Sequence, residues 1–386
     1  MVLTDLDNNG PALQRRSLLL GTASLLLAGC APPVPAPPAV AAGPLTLLGE
    51  ATIPYRFNFR DTTVGGLSAI DYDPVTGLFD LLSDDRSAAA PARLYRARLG
   101  LSAEGLHPPE LLDVITLKQA NGQAWPGRKN AVSGVPVPDP EALRRLPNGN
   151  FLWTSEGDLM RGFGPALYEA RADGTLVREF ALPACFAVGK EHGARYNLAF
   201  EGLAVNRSGT MAWVAMENAL QQDGPTPTVT SRGGPCRFTL FDVPTGNAVR
   251  QLAYAADAIP IAPLIPGAFA DNGVSEILPI DEHRLLVLER AYAIGRGMSL
   301  RLYQIDTRDG SDTLKLDTLT PANHQPARKT LVADFAHLGL SRLDNTEGMT
   351  WGPDLPDGRR SLWVVSDDNF NPLQVTQIAV FAVSGL

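Results

Sequence analysis

The chain has 386 residues, of which 45% are hydrophobic and 19% charged, a balance that excludes intrinsic disorder and supplies apolar residues for a large core. Lys and Arg number 33 against 41 Asp and Glu, a formal charge of −8, and no basic run interrupts it. Sequence-independent binding to a nucleic-acid backbone is therefore excluded as a function class. Gly 36 and Pro 32 make the chain turn-rich, which favours many short elements over a few long helices.

Residues 1–29 read as an export signal. Arg15-Arg16 precede an apolar run from Leu18 to Ala28 that is short for a membrane span. Gln14-Arg15-Arg16-Ser17-Leu18-Leu19 is similar to a twin-arginine motif; an ordinary signal that happens to carry two Arg is the alternative. Leu27-Ala28-Gly29-Cys30 looks like a bacterial lipobox, in which Cys30 is acylated and becomes the new N-terminus. Residues 30–44 follow as a Pro- and Ala-rich tether, stiff and extended, that would hold a folded domain off the membrane. The expected location is the cell envelope, facing the periplasm, with Ala31 after the Cys favouring the outer membrane. Contact with the membrane is expected through the lipid alone.

Residues 45–386 form one domain built on a repeat. A first strand opens near Ala69, Glu141, Glu201, Glu276 and Glu347, at spacings of 60 to 75 residues. A second strand follows each: LFDLLSDDR, NFLWTSEGD, MAWVAMENA, RLLVLERAY and SLWVVSDDN. Third strands come later, from ARLYRARL to TQIAVFAV, and four of the units add a fourth, such as LLDVITL and KTLVADF. Four antiparallel strands recurring at this period predict an all-β fold, a β-propeller. Five blades are counted; the connections 107–138 and 308–340 leave room for a sixth or seventh. The last unit lacks its fourth strand while LTLLGEATI (45–53) has no partner, so the N-terminal strand is predicted to close the ring.

Hairpin geometry then gathers acidic residues. Turn glycines Gly77, Gly149 and Gly209 place Ala69 opposite Asp84, Glu141 opposite Glu156 and Glu201 opposite Glu217. With altered turn lengths, Glu276 pairs with Glu289 and Glu347 with Asp367. The first strand of a propeller blade lines the axis, so these nine carboxylates are expected at one mouth of the channel. Like charges so close need compensation. One reading is a site for Ca²⁺ or another hard divalent cation, since the ligands are oxygens and the five His show no zinc spacing. The other is capping of neighbouring backbone N–H groups and pairing with Arg86, Arg195 or Arg290. Asn197, Asn272 and Asn345, each shortly before a Glu, add neutral oxygens. Glu201 and Glu217 are the candidate catalytic groups, with Arg195 and Arg290 available for an anionic substrate. Cys185 and Cys236, left after Cys30, either pair as a disulfide or remain buried thiols. No G-x-S-x-G elbow occurs, and nothing points to a nucleotide or haem.

The stretches GGLSAIDYDPVTGLFDLLSDDR, RYNLAFEGLAVNRSG, NGVSEILPIDEHRLLVLER and DNTEGMTWGPDLPDGRRSLWVVSDDNFNPLQ resemble the phytase-like domain family, described as having esterase-like activity of phytase. The resemblance spans nearly all of 60–386 and implies an exported bacterial protein that hydrolyses an ester or phosphate ester. Two functions are carried forward: a lipid-anchored hydrolase of a small-molecule ester using a channel-mouth cation, and a lipid-anchored propeller without chemistry that binds an envelope ligand or protein partner. The net negative charge counts against phytate itself.

Overall fold

The computed structural model describes residues 43–386. The signal, Cys30 and most of the tether lie outside the described residues. The rest is a five-bladed β-propeller of four-stranded antiparallel sheets. Blade one comprises Leu67–Asp73, Leu78–Ser83, Arg93–Arg98 and Glu110–Thr116; blade two Pro140–Arg145, Phe151–Ser155, Ala166–Ala170 and Leu176–Glu179. Blade three comprises Phe200–Val205, Met211–Met216, Cys236–Asp242 and Asn247–Tyr254; blade four Ala270–Pro279, Arg284–Ala293, Gly297–Asp306 and Lys329–Asp334. Blade five takes Asn345–Trp351, Arg360–Asp367 and Thr376–Val383 from the C-terminus and Leu45–Ile53 from the N-terminus. That last strand pairs from Leu45 opposite Val383 to Ile53 opposite Thr376, as the orphan segment predicts. The long connections conceal no further blade: they hold the outer strands of blades one and four and the loops around them. Helix among the described residues is limited to three-residue 3-10 turns, and none is long and apolar enough to cross a membrane.

Each sheet is covered on both faces by its neighbours, so its strands need apolar side chains on both sides rather than strict alternation. That is why the second strands read LFDLLS, FLWTS and RSLWVVSD. The core is accordingly a set of clusters between blades. Ile70, Phe79, Trp363 and Val380 join blades five and one, and Leu82, Leu143, Phe151 and Trp153 join one and two. Leu152, Phe200, Val214, Ile277 and Val287 run from blade two to four, and Leu286, Leu302, Val364 and Phe381 join four and five.

The innermost strands pack against one another around the axis, and a buried ion pair plugs the channel they enclose. Arg144 donates to Glu276 at 2.7 Å and to the carbonyls of Ile70, Leu143 and Met349 at 2.8 to 3.1 Å. Glu276 accepts the Leu203 amide at 2.9 Å. The pair therefore touches the first strand of every blade. Burial pushes the Glu276 carboxyl up to about 7, against the pull of Arg144. Replacing Arg144 with Met leaves a buried carboxylate uncompensated and should cost about 3–5 kcal/mol. Adding Glu276→Gln, which still accepts the Leu203 amide without charge, should recover much of the loss. Urea denaturation of the four proteins checks this; Arg144→Met within experimental error of the parent would refute the plug.

Candidate functional site

Every first strand carries a β-bulge at the same height, and the bulges decide which side chains face the mouth. In blade three Phe200 pairs with Met216 and Gly202 with Ala215, leaving Glu201 extra. The same count leaves Glu347 extra in blade five and places the blade-two bulge at Glu141–Ala142. In blade one the extra residue is Ser68, and in blade four Ser275. The structural repeat is thus Ser68, Glu141, Glu201, Ser275 and Glu347. The expected equivalence of Ala69 and Glu276 with the other glutamates is off by one residue. A slip of one turns a side chain to the other side of the strand, which is why Glu276 points down the channel to Arg144.

The predicted opposed pairs also shift. The Glu156 amide donates to Asp139, that of Glu217 to Ala199, and that of Asp84 to Gly66. Asp367 stands opposite Asn345. In blade four the equivalent residue is Arg290, opposite Gly273, whereas Glu289 lies opposite Val274. Glu289 turns away from the axis, accepting from the Tyr254 hydroxyl at 2.6 Å, from Asn272 at 3.0 Å and from Lys329.

The mouth therefore gathers Asp84, Glu141, Glu156, Glu201, Glu217, Glu347 and Asp367, all expected there, together with Asp139. All except the half-buried Asp84 are buried. Asp139 was missed because it stands just ahead of the strand Pro140–Arg145, two residues before Glu141, outside the repeat positions. Close packing of these carboxyls leaves no room for extra carbon: a Cβ on Gly273 would stand 2.6 Å from Glu217 Cγ. Two guanidiniums offset the charge. Arg290 donates to Glu217 at 3.1 Å and stands 3.8 Å from Glu347, and Arg86 pairs with Asp139. Arg195 is engaged elsewhere, donating to the Ala219 and Gly224 carbonyls at 3.2 and 2.6 Å.

Burial, then repulsion from Glu201, raises Glu141; burial and Glu217 raise Glu201; burial and Asp139 raise Glu156. Burial lifts Glu217 to about 8 despite Arg290, and Asp139 to about 6 despite Arg86. The cluster thus holds more carboxyl groups than its two cations can neutralise, and protons or another cation must offset the rest. Capping consumes part of it: Glu156 Oε1 accepts the Ala199 amide of the next blade. Its other oxygen, Oε2, is buried with no hydrogen-bond partner.

Two triads converge on that residue. Oxygens of Asp139, Glu141 and Glu156 lie within 4.8 Å of one another, and so do those of Glu156, Glu201 and Glu217. An all-oxygen donor set with an orphaned buried oxygen fits a hard divalent cation. On the opposite face a cavity of about 960 Å³ is lined by Tyr72, Arg207, Trp351 and Arg360, away from these carboxyls. Cys185 and Cys236 are free and buried. Cys236 donates to the Glu217 carbonyl at 3.2 Å, and Cys185 lies 3.9 Å from the Gln251 amide nitrogen.

Residues 62–370 match the model of the phytase-like family, described as esterase-like activity of phytase, and the chain belongs to that family. No curated protein matches the sequence. Among solved structures it is similar to regucalcin, a calcium-binding protein of Agrobacterium tumefaciens, at 13% identity and a TM-score of 0.38, covering 87% of this chain and 96% of that one. A structure from the mannoside phosphorylase family that contains glycoside hydrolases targeting β-1,2-mannosidic linkages in Candida mannan matches at 11% identity and a TM-score of 0.43, covering 91% and 99%. A Leishmania major protein matches at 10% identity and a TM-score of 0.40, covering 88% and 90%.

Proposed function

We propose that the protein is an exported, lipid-anchored hydrolase of an ester or phosphate ester, working at the acidic mouth with a hard divalent cation such as Ca²⁺. The observation that carries this reading is Glu156, which belongs to both carboxylate triads and has one buried oxygen without a hydrogen-bond partner. Asp139, Glu141, Glu156, Glu201 and Glu217 would hold the cation. Bound there, it would polarise the substrate oxygen and lower the pKa of a water. Glu201, which receives no hydrogen bond from Arg290 as Glu217 does, would offer one oxygen to the cation and the other to take a proton from that water. Glu217, fixed by Arg290, is held in place rather than free to swing. The chain enters blade five at Leu45, opposite Val383, at the end of the blade away from the mouth.

A non-catalytic binding propeller is the second reading, favoured by the capping bond from the Ala199 amide to Glu156. The two separate on one experiment. If the mouth holds a cation, chelation should lower the melting temperature and Ca²⁺ should restore it. Glu201→Gln keeps the shape but removes a charge, so it should weaken the calcium response and reduce kcat by about 10²-fold or more on whichever aryl ester or phosphate ester is turned over. Under capping alone, chelator shifts neither protein, and that result would leave the binding propeller standing.

A further inference from the structure

A basic, aromatic rim overhangs the acidic mouth at blades one to three. Arg86 follows Asp84 by two residues, and its guanidinium is shared three ways: Nε faces Asp139, Nη1 donates to the Tyr196 hydroxyl at 3.2 Å, and Nη2 donates to the Asn197 side-chain oxygen. Arg128, in a 3-10 turn of another loop, donates to the same Tyr196 hydroxyl at 3.0 Å. Tyr196 is half exposed, at 50%. Asn197 and Ser87, the neighbours of Tyr196 and Arg86, both adopt left-handed backbone, φ 55° and 51°, a conformation with a cost that the surrounding bonds must hold.

Two guanidiniums converge on one phenol oxygen, and while Arg86 is paired with Asp139, Arg128 forms no ion pair among the described residues. The hydrogen bond from Arg128, with the nearby Arg86, holds the Tyr196 phenol below its usual range, the response expected where an anionic oxygen is favoured. Such a place matters because the rest of the mouth repels anions. The other mouth cation, Arg290, is buried between Glu217 and Glu347, 3.1 and 3.8 Å from their oxygens. Arg86 touches both regions, so an oxyanion held at Tyr196 lies next to the Asp139, Glu141 and Glu156 triad.

We propose that Arg86, Arg128 and Tyr196 form an oxyanion subsite that binds a non-bridging oxygen of a phosphate ester and makes the mouth select a charged ester over a neutral one. This rests on the hydrolase reading for its role in turnover, but binding itself can be measured without turnover. The guanidiniums supply charge-assisted hydrogen bonds to the phosphoryl oxygen, and the Tyr196 hydroxyl turns from acceptor to donor as that oxygen arrives. They position the substrate and take no proton from it.

The test uses the full-length protein, with inorganic phosphate as the binding probe in calorimetry at fixed Mg²⁺. Bis(p-nitrophenyl) phosphate and p-nitrophenyl acetate serve as charged and neutral substrates. Arg128→Gln, at an exposed loop, should weaken phosphate at least about tenfold and raise KM for the phosphodiester by a similar factor, with KM for the acetate unmoved. Tyr196→Phe should act in the same direction. Arg207→Gln, on the opposite face, should leave phosphate binding as in the parent. Phosphate affinity equal in parent and Arg128→Gln, or equal losses on both substrates, would overturn the subsite. If neither substrate is turned over but phosphate binds in an Arg128-dependent way, the hydrolase reading fails and the subsite stands. Turnover of the acetate without phosphate binding would overturn the subsite and leave the hydrolase standing.

Discussion

A chain beginning at Pro54 should lose most or all of its cooperative unfolding transition at room temperature. The removed strand, Leu45–Ile53, supplies the outer edge of blade five and pairs along its length with Thr376–Val383. Its ends are anchored in two different inter-blade cores. Leu45 belongs to the core between blades four and five that includes Leu302 and Phe381, and Ile53 to the one between five and one that includes Trp363 and Val380. Fully burying two such side chains contributes about 1.5–3 kcal/mol each. Each backbone hydrogen bond adds about 0.5–1.5 kcal/mol. The sum is a large part of the roughly 5–15 kcal/mol typical of a whole domain. Deletion also bares the edge of Thr376–Val383, a template for association. Circular dichroism melts of the truncated and full chains, with light scattering, check this, and a synthetic 44–54 peptide should restore part of the transition. A truncated chain that melts like the parent would show that the ring does not depend on closure.

The closing strand was legible because it left two complementary gaps: a unit with three strands and a segment with no unit. Blade number was legible for a related reason, since second strands such as NFLWTSEGD and SLWVVSDDN are apolar enough to be sandwiched on both faces. Register was not. Where the bulge residue is Glu, as at 141, 201 and 347, its place is visible in the sequence. At Ser68 and Ser275 the nearby Ala69 and Glu276 take its place in any alignment guided by charge. A bulge inserts one residue without a compositional mark, and that single residue decides between channel and mouth. The Arg144–Glu276 plug and the convergence of Arg86 with Arg128 on Tyr196 join residues 68 to 132 positions apart. No local pattern encodes such pairs; they exist only once the ring is closed.

Without divalent cation, the protein should become less stable as pH rises from about 5 to 8. The cause lies in the mouth, where burial and neighbouring carboxylates raise Asp84, Glu141, Glu156, Glu201 and Asp367 well above their ordinary range. Asp139 is raised to about 6 and Glu217 to about 8. A group whose folded pKa exceeds its unfolded one binds its proton more tightly in the folded state. Its contribution is complete below the unfolded value, near 4, and is lost as pH rises through the folded value. Each proton that the folded state holds and the unfolded state has lost costs about 1.4 kcal/mol per pH unit, and Asp139 and Glu217 both hold theirs into this window. Groups lowered by local hydrogen bonds, such as Asp306 at about 2, act below pH 4 and leave the window untouched. A cation at the two triads competes with those protons, so its binding strengthens with pH. At a hundredfold excess over Kd it adds roughly 2.7 kcal/mol. Melting temperatures in chelator should therefore fall between pH 5 and 8, while those in Ca²⁺ hold level, the two curves diverging most at pH 8. Glu201→Gln removes one repelling charge and one ligand, so its curves in chelator and in Ca²⁺ should lie closer together than the parent's. Parallel curves in the parent would mean that the mouth's charge is balanced by protons and Arg86 and Arg290 alone, with no cation involved.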